Sequence, residues 1–150
     1  MGSGLLGDGV VVQIGIIVRN IEKSAEEFAA LLGVPAPQWM LTDALDKAKT
    51  LFRGKPSAAR AKLAFIKSGQ LDIELIEPDA GPSTWREFLD ERGEGIHHIA
   101  FLIKGMEANV SQLEKRGFPL LQKGEYTGGR YAYVDAASSL KTIVELLEND

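Results

Sequence analysis

The only two histidines of the chain, His97 and His98, stand side by side in Gly95-Ile96-His97-His98-Ile99-Ala100-Phe101, at the start of an apolar run. Side chains alternate faces along a strand, so His98 shares a face with Ala100 and Leu102, and His97 shares the other with Ile99, Phe101 and Ile103. On that phase the two imidazoles are expected to differ in role, with His97 structural or at the rim of a site. A carboxylate interrupts each of two further apolar runs: Glu74 in Asp72-Ile73-Glu74-Leu75-Ile76-Glu77, and Glu145 in Thr142-Ile143-Val144-Glu145-Leu146-Leu147. A carboxylate inside a core strand is costly unless it is paired or binds a cation. Gln13 places an amide in the β-branched run 10–18, and Gly15 two residues on, like Ala100 after His98, leaves space beside the polar group.

Gln13, Glu74, His98 and Glu145 together offer three oxygen donors and one imidazole. With no cysteine in the chain there is no sulfur ligand, no disulfide and no thiol nucleophile. Such a set suits a hard or borderline divalent ion such as Mn, Co, Ni, Zn or Mg. Two carboxylates would neutralise the ion, and an octahedral ion would keep two positions for substrate or water. Read purely as structure, the same residues would be glutamates facing solvent on a half-exposed sheet and a hydrogen-bonded core histidine.

Strands must carry these groups, and the pattern supplies them in order. After the run 10–18, Ile21, Ala25, Phe28 and Leu32 recur at helical spacing, with Gly33 and Pro35 as the stop. Strands are expected near residues 37–41, over 59–67 and over 71–77, the last closed by Pro78. Thr84-Trp85-Arg86-Glu87 has capping-box spacing and predicts a short linking helix over about 83–92. A strand over 96–104 follows, then a helix with Met106, Val110 and Leu113 on one face and Gly117 as its stop. Strands near 118–124, 129–135 and 141–148 finish the chain. Laying Gln13 on His98 also lays Ile14 on Ile99, Arg19 on Lys104 and Glu22 on Glu107. A strand-helix-three-strand module occurring twice, over about 10–78 and 96–148, is therefore expected within one domain spanning residues 1–150.

Composition excludes other classes. A chain of 150 residues with 45% hydrophobic and 25% charged residues is ordinary for a globular domain that buries its own core. The net charge of -4 and pI of 5.3, with lysines and arginines interleaved among acids, give no footprint for nucleic acid. No apolar run reaches the length of a membrane span, and the N-terminal Met1-Gly2-Ser3-Gly4-Leu5-Leu6-Gly7-Asp8-Gly9 does not read as a signal peptide. A cytoplasmic protein with no membrane partner is expected.

Gly93-Glu94-Gly95-Ile96-His97-His98-Ile99-Ala100-Phe101 after a short helix, the two modules, Gly129-Arg130-Tyr131-Ala132-Tyr133-Val134-Asp135 and the final Ile143-Val144-Glu145-Leu146-Leu147-Glu148 together resemble the vicinal oxygen chelate superfamily, which includes glyoxalase I and methylmalonyl-CoA epimerase. The resemblance covers roughly residues 10–148. It implies an α+β fold in which two βαβββ modules form a curled mixed sheet around a divalent metal ion. The ligands it implies sit on the first and last strand of each half: Gln13, Glu74, His98 and Glu145. Epimerases usually carry His where this chain has Gln13, whereas a Gln, Glu, His, Glu set is similar to that of some glyoxalase I enzymes. Ala58 stands where the epimerase pattern has a catalytic glutamate.

Both activities implied by the resemblance remove a proton next to a carbonyl while a metal stabilises the enolate or enediolate oxygen. With Ala58 unable to act as base, Glu145 or Glu74 is expected to serve as ligand and base on a small carbonyl or thioester substrate. Arg53 and Arg60, with Lys55, border the expected cavity strand and could hold an acidic substrate; otherwise they form a solvated basic loop. Trp39 and Tyr133 could line the pocket or pack in the core. Two rival readings remain. One is a metal-free, antibiotic-sequestering binding protein on the same fold. The other is an iron dioxygenase, which needs two histidines and a carboxylate on one face. A homodimer is expected by resemblance alone.

Overall fold

A computed structural model of the chain describes residues 4–150. The first apolar run forms β1 (Val11–Ile17), and Asn20 caps helix α1 (Ile21–Leu32) by accepting from the Lys23 amide at 3.1 Å. Gly33 ends that helix at φ 69°, a left-handed position that favours glycine. Next come β2 (Met40–Leu41), one turn of helix α2 (Leu45–Ala48), the hairpin β3 (Leu51–Phe52) and β4 (Lys55–Pro56), and the long strands β5 (Ala61–Ser68) and β6 (Leu71–Pro78). Helix α3 (Thr84–Arg92) leads into β7 (Gly95–Leu102), α4 (Met106–Lys115), β8 (Leu120–Tyr126), β9 (Gly129–Asp135), the short α5 (Ala137–Leu140) and β10 (Ile143–Asn149).

Among the described residues the strands form one mixed sheet in the order β2-β5-β6-β1-β7-β10-β9-β8-β3-β4. The fold is α+β, a curled sheet with helices packed on it. β1 lies parallel to β6 and antiparallel to β7, and β7 lies parallel to β10. The two halves therefore meet within one chain, at the β1–β7 pair and again where β3 pairs with β8.

Alternation along the strands separates two faces. Outward residues Leu75 and Ala64 pack with Val18, Ile21 and Ala25 under α1. Val144 and Leu146 of β10 pack with Met106, Val110 and Leu113 of α4. The inward positions of the same strands carry Gln13, Glu74 and Glu145, so two apolar layers hold the strands whose other face bears the polar groups. No helix of the described residues is long and apolar enough to cross a membrane.

Three departures from the sequence pattern concern the site. The hairpin β3–β4 turns at Arg53 and Gly54, both at positive φ (51° and 80°), and pairs with β8 rather than with β5. α2 and α5 span four residues each, too few to show periodicity. The cap of α3 is Ser83, whose hydroxyl accepts from the Arg86 amide at 3.0 Å, one residue before the expected Thr84. That shift frees the Thr84 hydroxyl for another partner.

Leu146 is fully buried between β10 and α4. Leu146→Ala is expected to lower unfolding stability by about 2–5 kcal/mol, read from the denaturation midpoint; a loss under about 1 kcal/mol would contradict this packing.

Candidate metal centre and its cavity

The register of four neighbouring strands builds the centre. Across the sheet, Glu74 of β6, Gly15 of β1 and His98 of β7 lie in one row. In the next row Gln13 of β1, Ala100 of β7 and Glu145 of β10 lie side by side. Each row thus places a small residue between two functional ones. Strands are about 4.8 Å apart, so groups two strands away must lean across the residue between them. At Gly15 the lean is total: a Cβ there would fall on the His98 imidazole. The spacing of polar and small residues in β1 and β7 is thus a packing requirement of the centre.

The four groups converge. His98 Nε2 lies 2.9 Å from Glu145 Oε2, 3.4 Å from Glu74 Oε2 and 3.1 Å from Gln13 Oε1. One ligand atom each from Glu74, His98 and Glu145 falls within 4.8 Å of the others. All are buried, with 6% of Glu74, 4% of Glu145 and none of His98 exposed. With the Gln13 oxygen turned inward, three oxygens face one another and the imidazole is the donor among them. Rotated about its terminal bond, the amide nitrogen would instead donate to Glu145 Oε2 and Glu74 Oε2 at 2.8 Å each. Inward oxygens need a cation, and the donor set fits a divalent one. Without an ion, either the proton on His98 Nε2, with Gln13 Oε1 accepting from it at 3.1 Å, or the rotated amide, with its nitrogen 3.1 Å from His98 Nε2, supplies the donors.

Electrostatics follow from this crowding. Burial alone would push the His98 pKa down, but Glu145 and Glu74 outweigh it and raise it to about 9. Burial raises Glu74, offset in part by its hydrogen bond with His98 and reinforced by the nearby Glu145. Burial and the charge on His98 hold His97 well below its ordinary value. A doubly protonated His98 therefore donates Nδ1–H to His97 Nδ1, 2.9 Å away, and neutral His97 keeps its proton on Nε2, 3.1 Å from the Thr84 hydroxyl. The Thr84 amide in turn donates to Gln122 Oε1 at 2.9 Å, and Gln122 Nε2 to the Tyr131 hydroxyl at 2.9 Å.

That contact corrects the simple alternation of His97 and His98. A register shift in the β1–β7 pair between Gly15 and Ile16 leaves His97 without a Cα partner on β1, and the two rings touch edge to face at 5.1 Å. His97 still does not join the centre, because both of its nitrogens are engaged behind His98. A dioxygenase set of two imidazoles is thereby excluded at this position.

The centre opens into a cavity of about 430 Å³ lined by Gln13, Glu74 and Glu145 together with Leu63, Phe65, Trp85 and three tyrosines. Tyr131 and Tyr133 share the inward face of β9, where Tyr133 pairs with Glu145 and its hydroxyl accepts from Trp85 Nε1 at 3.0 Å. Burial and then Glu145 hold the Tyr133 phenol well above its usual value, so it remains a neutral donor. Tyr131, Trp85, Asp43 and Glu125 were not legible as cavity residues from the sequence, although the alternation of Tyr131 with Tyr133 is a usable signal. Trp39 lies elsewhere, its indole donating to Glu22 at 3.0 Å beneath Lys62.

Arg53 and Arg60 do not line the cavity, contrary to the sequence expectation. The β3–β4 turn carries Arg53 to α3, where Nη2 meets both oxygens of Glu87 at 2.8 and 3.0 Å. Arg60 donates Nε to the Thr42 carbonyl at 2.8 Å and its amide to Asp79.

Residues 12–134 match the glyoxalase/bleomycin resistance protein/dioxygenase superfamily. The chain belongs to this superfamily. An uncharacterised Bacillus subtilis (strain 168) protein, YqjC, is 29% identical over 92 residues, a match that covers 59% of this chain and 66% of that protein, just under two thirds of its length. Among solved structures, a hypothetical protein of Bacillus halodurans C-125, BH1468, aligns with a TM-score of 0.63 at 22% identity, over 94% of each chain. Methylmalonyl-CoA epimerase from Mycobacterium tuberculosis aligns with a TM-score of 0.62 at 22% identity, over 100% of this chain and 93% of that one. At such identity the structures show a shared superfamily fold.

Two outcomes follow from the His98 geometry. The unfolded-state pKa of His is about 6.5, so a value raised to about 9 adds stability that is complete below about pH 6.5 and lost as pH rises through about 9. Glu74, also raised, acts in the same direction from the ordinary carboxylate range upward. Denaturation midpoints in the presence of chelator should therefore fall between about pH 6.5 and 9, and a flat profile would contradict the ion cluster. His97→Phe should weaken divalent-metal affinity by about 10- to 100-fold by removing the acceptor that orients His98, measured by competition with a chelating dye; unchanged affinity would make His97 a packing residue only.

Proposed function

We propose that this chain is a metal-dependent enzyme that removes a proton from carbon next to a carbonyl, a reaction of the lyase or isomerase kind shared by glyoxalase I and the epimerases. The convergence of Gln13, Glu74, His98 and Glu145 at the floor of a largely apolar cavity carries this reading. These four residues would hold a divalent ion (Zn, Ni, Co or Mn), which when bound would supply Lewis-acid stabilisation of the oxygen on which charge develops.

The chain's own groups do the rest. Glu74 and Glu145 both line the cavity, and both can reach a proton on a substrate held there. Glu74 is the better base: it lies farther from His98 than Glu145 does, and burial raises its proton affinity. Glu145, 2.9 Å from His98, is the firmer ligand. Tyr133, kept protonated and oriented by Trp85, offers a neutral donor beside Glu145. The apolar walls exclude water and so strengthen each of these interactions.

A second reading rests on a specific observation. The His98 cation already bridges both carboxylates, so the cluster is satisfied without a metal, as a sequestering protein would need. Elemental analysis of untagged protein separates the two, with near one equivalent of divalent metal expected for the enzyme. The test of the base is solvent deuterium exchange, followed by NMR, across a panel of thiohemiacetals and 2-substituted acyl thioesters. Glu74→Gln should retain metal and lower exchange on the order of 10²- to 10⁴-fold. Exchange at the wild-type rate in both Glu74→Gln and Glu145→Gln would overturn the mechanism.

A further inference from the structure

The cavity walls carry a charge pattern that bears on what can enter. Four carboxylates line it: Asp43, Glu74, Glu125 and Glu145. Among the described residues, no lysine or arginine does. The nearby cations are committed elsewhere. Arg53 forks onto Glu87 beside α3, Lys62 lies over Trp39 and 3.6 Å from Glu77, and Arg60 donates to the Thr42 main chain. Lys47, Lys49 and Arg130 stand with Asp43 and Glu125 around an adjoining depression rather than on the cavity wall; Lys49 lies 3.3 Å from Glu125 with most of its side chain in solvent, and Arg130 is paired with Glu148 and Asp150. A divalent ion would offset Glu74 and Glu145 and leave Asp43 and the exposed Glu125 as the charges on the cavity wall, with their basic neighbours on the outer side.

We infer that this cavity admits uncharged or cationic carbonyl compounds with an apolar or aromatic body and turns away those that carry a second, non-chelating anionic group. This rests on the enolising, metal-dependent reading above. An anionic tail entering the cavity would lose its hydration, meet no guanidinium fork or ammonium on the cavity wall, and pass the carboxylates of Asp43 and Glu125. An aromatic or aliphatic tail instead finds Leu63, Phe65, Trp85 and Tyr131 in a space sized for a small ligand. The hydroxyl of Tyr133 then serves as a neutral polar contact. Substrates with a free carboxylate beyond the reacting centre are therefore poor candidates, and neutral aryl or alkyl hydroxyketones, or the thiohemiacetals that neutral 2-oxoaldehydes form with an uncharged thiol, are favoured.

Cobalt(II)-loaded protein tests this without catalysis, because its visible absorption reports ligands that join the metal. Three chelating probes share one hydroxamate head: benzohydroxamate, its 4-carboxy analogue and its 4-aminomethyl analogue. At low salt the neutral probe should bind about tenfold tighter than the carboxylated one, and the aminomethyl probe at least as tightly as the neutral one. The gap should shrink as salt shortens the screening length to about 3 Å near 1 M. Phe65→Lys, at a cavity position 37% exposed and so able to accept a charge, should bring the carboxylated probe level with the neutral one. Equal or tighter binding of the carboxylated probe to wild type, or no change of the ratio in Phe65→Lys, would overturn the charge selection and leave the metal centre standing. Failure to take up cobalt at all would overturn the metal-dependent reading, and this inference with it.

Discussion

Two carboxylates buried against one imidazole form the constraint from which the rest of the structure follows. Isolated, each charge would be intolerable in the interior. Held 2.9 and 3.4 Å from His98 Nε2, they become mutually compatible, either through the imidazole's own proton or through a shared cation. The raised pKa of His98 and the fit to a divalent ion are two expressions of one local excess of negative charge. A proton and a divalent ion would compete for the same nitrogen.

Satisfying this constraint determines which strands must be neighbours. Gln13, Glu74, His98 and Glu145 come from β1, β6, β7 and β10, which are adjacent in the sheet, and each reaches the centre only because Gly15 or Ala100 separates it from its counterpart in the row. The outer faces of these strands are fixed by α1 and α4, whose apolar contacts resist any slip of register. A slip of one residue would turn the carboxylates outward and Leu75 or Leu146 into the cavity. Core packing and site geometry are therefore one specification written on two faces of the same strands.

Much of this was legible in the sequence because it depends on period and polarity. The carboxylates interrupting apolar runs, the polar-then-small spacing after Gln13 and His98, and the helix stops at Gly33 and Gly117 are all local signals. What was not legible depends on irregular backbone or on contacts between distant segments. The shift of register at His97 leaves no trace in Ile96-His97-His98-Ile99, so strict alternation separated two rings that touch. Ser83 and Thr84 are both competent caps; Ser83 takes that place, and the Thr84 hydroxyl meets His97 instead. Arg53 looked like a cavity residue because β5 follows it closely. The hairpin that carries it pairs instead with β8, and Glu87 captures it there.

The layer behind the centre shows how far the constraint reaches. His98 leans on His97, His97 on Thr84, Thr84 on Gln122 and Gln122 on Tyr131, so a path of hydrogen bonds runs from the imidazole of the centre through the first turn of α3 and back to the cavity wall. Every link is buried or partly buried, where an unpaired partner costs more than the bond itself contributes. The side chains of Trp85 and Tyr133 close the same loop from the cavity side. α3, which reads in the sequence as a connector between two modules, is thus a structural wall of the site. Its placement couples the orientation of His98 to the shape of the cavity, so a ligand that displaces the aromatic wall and a substitution that tilts the imidazole act on the same set of contacts.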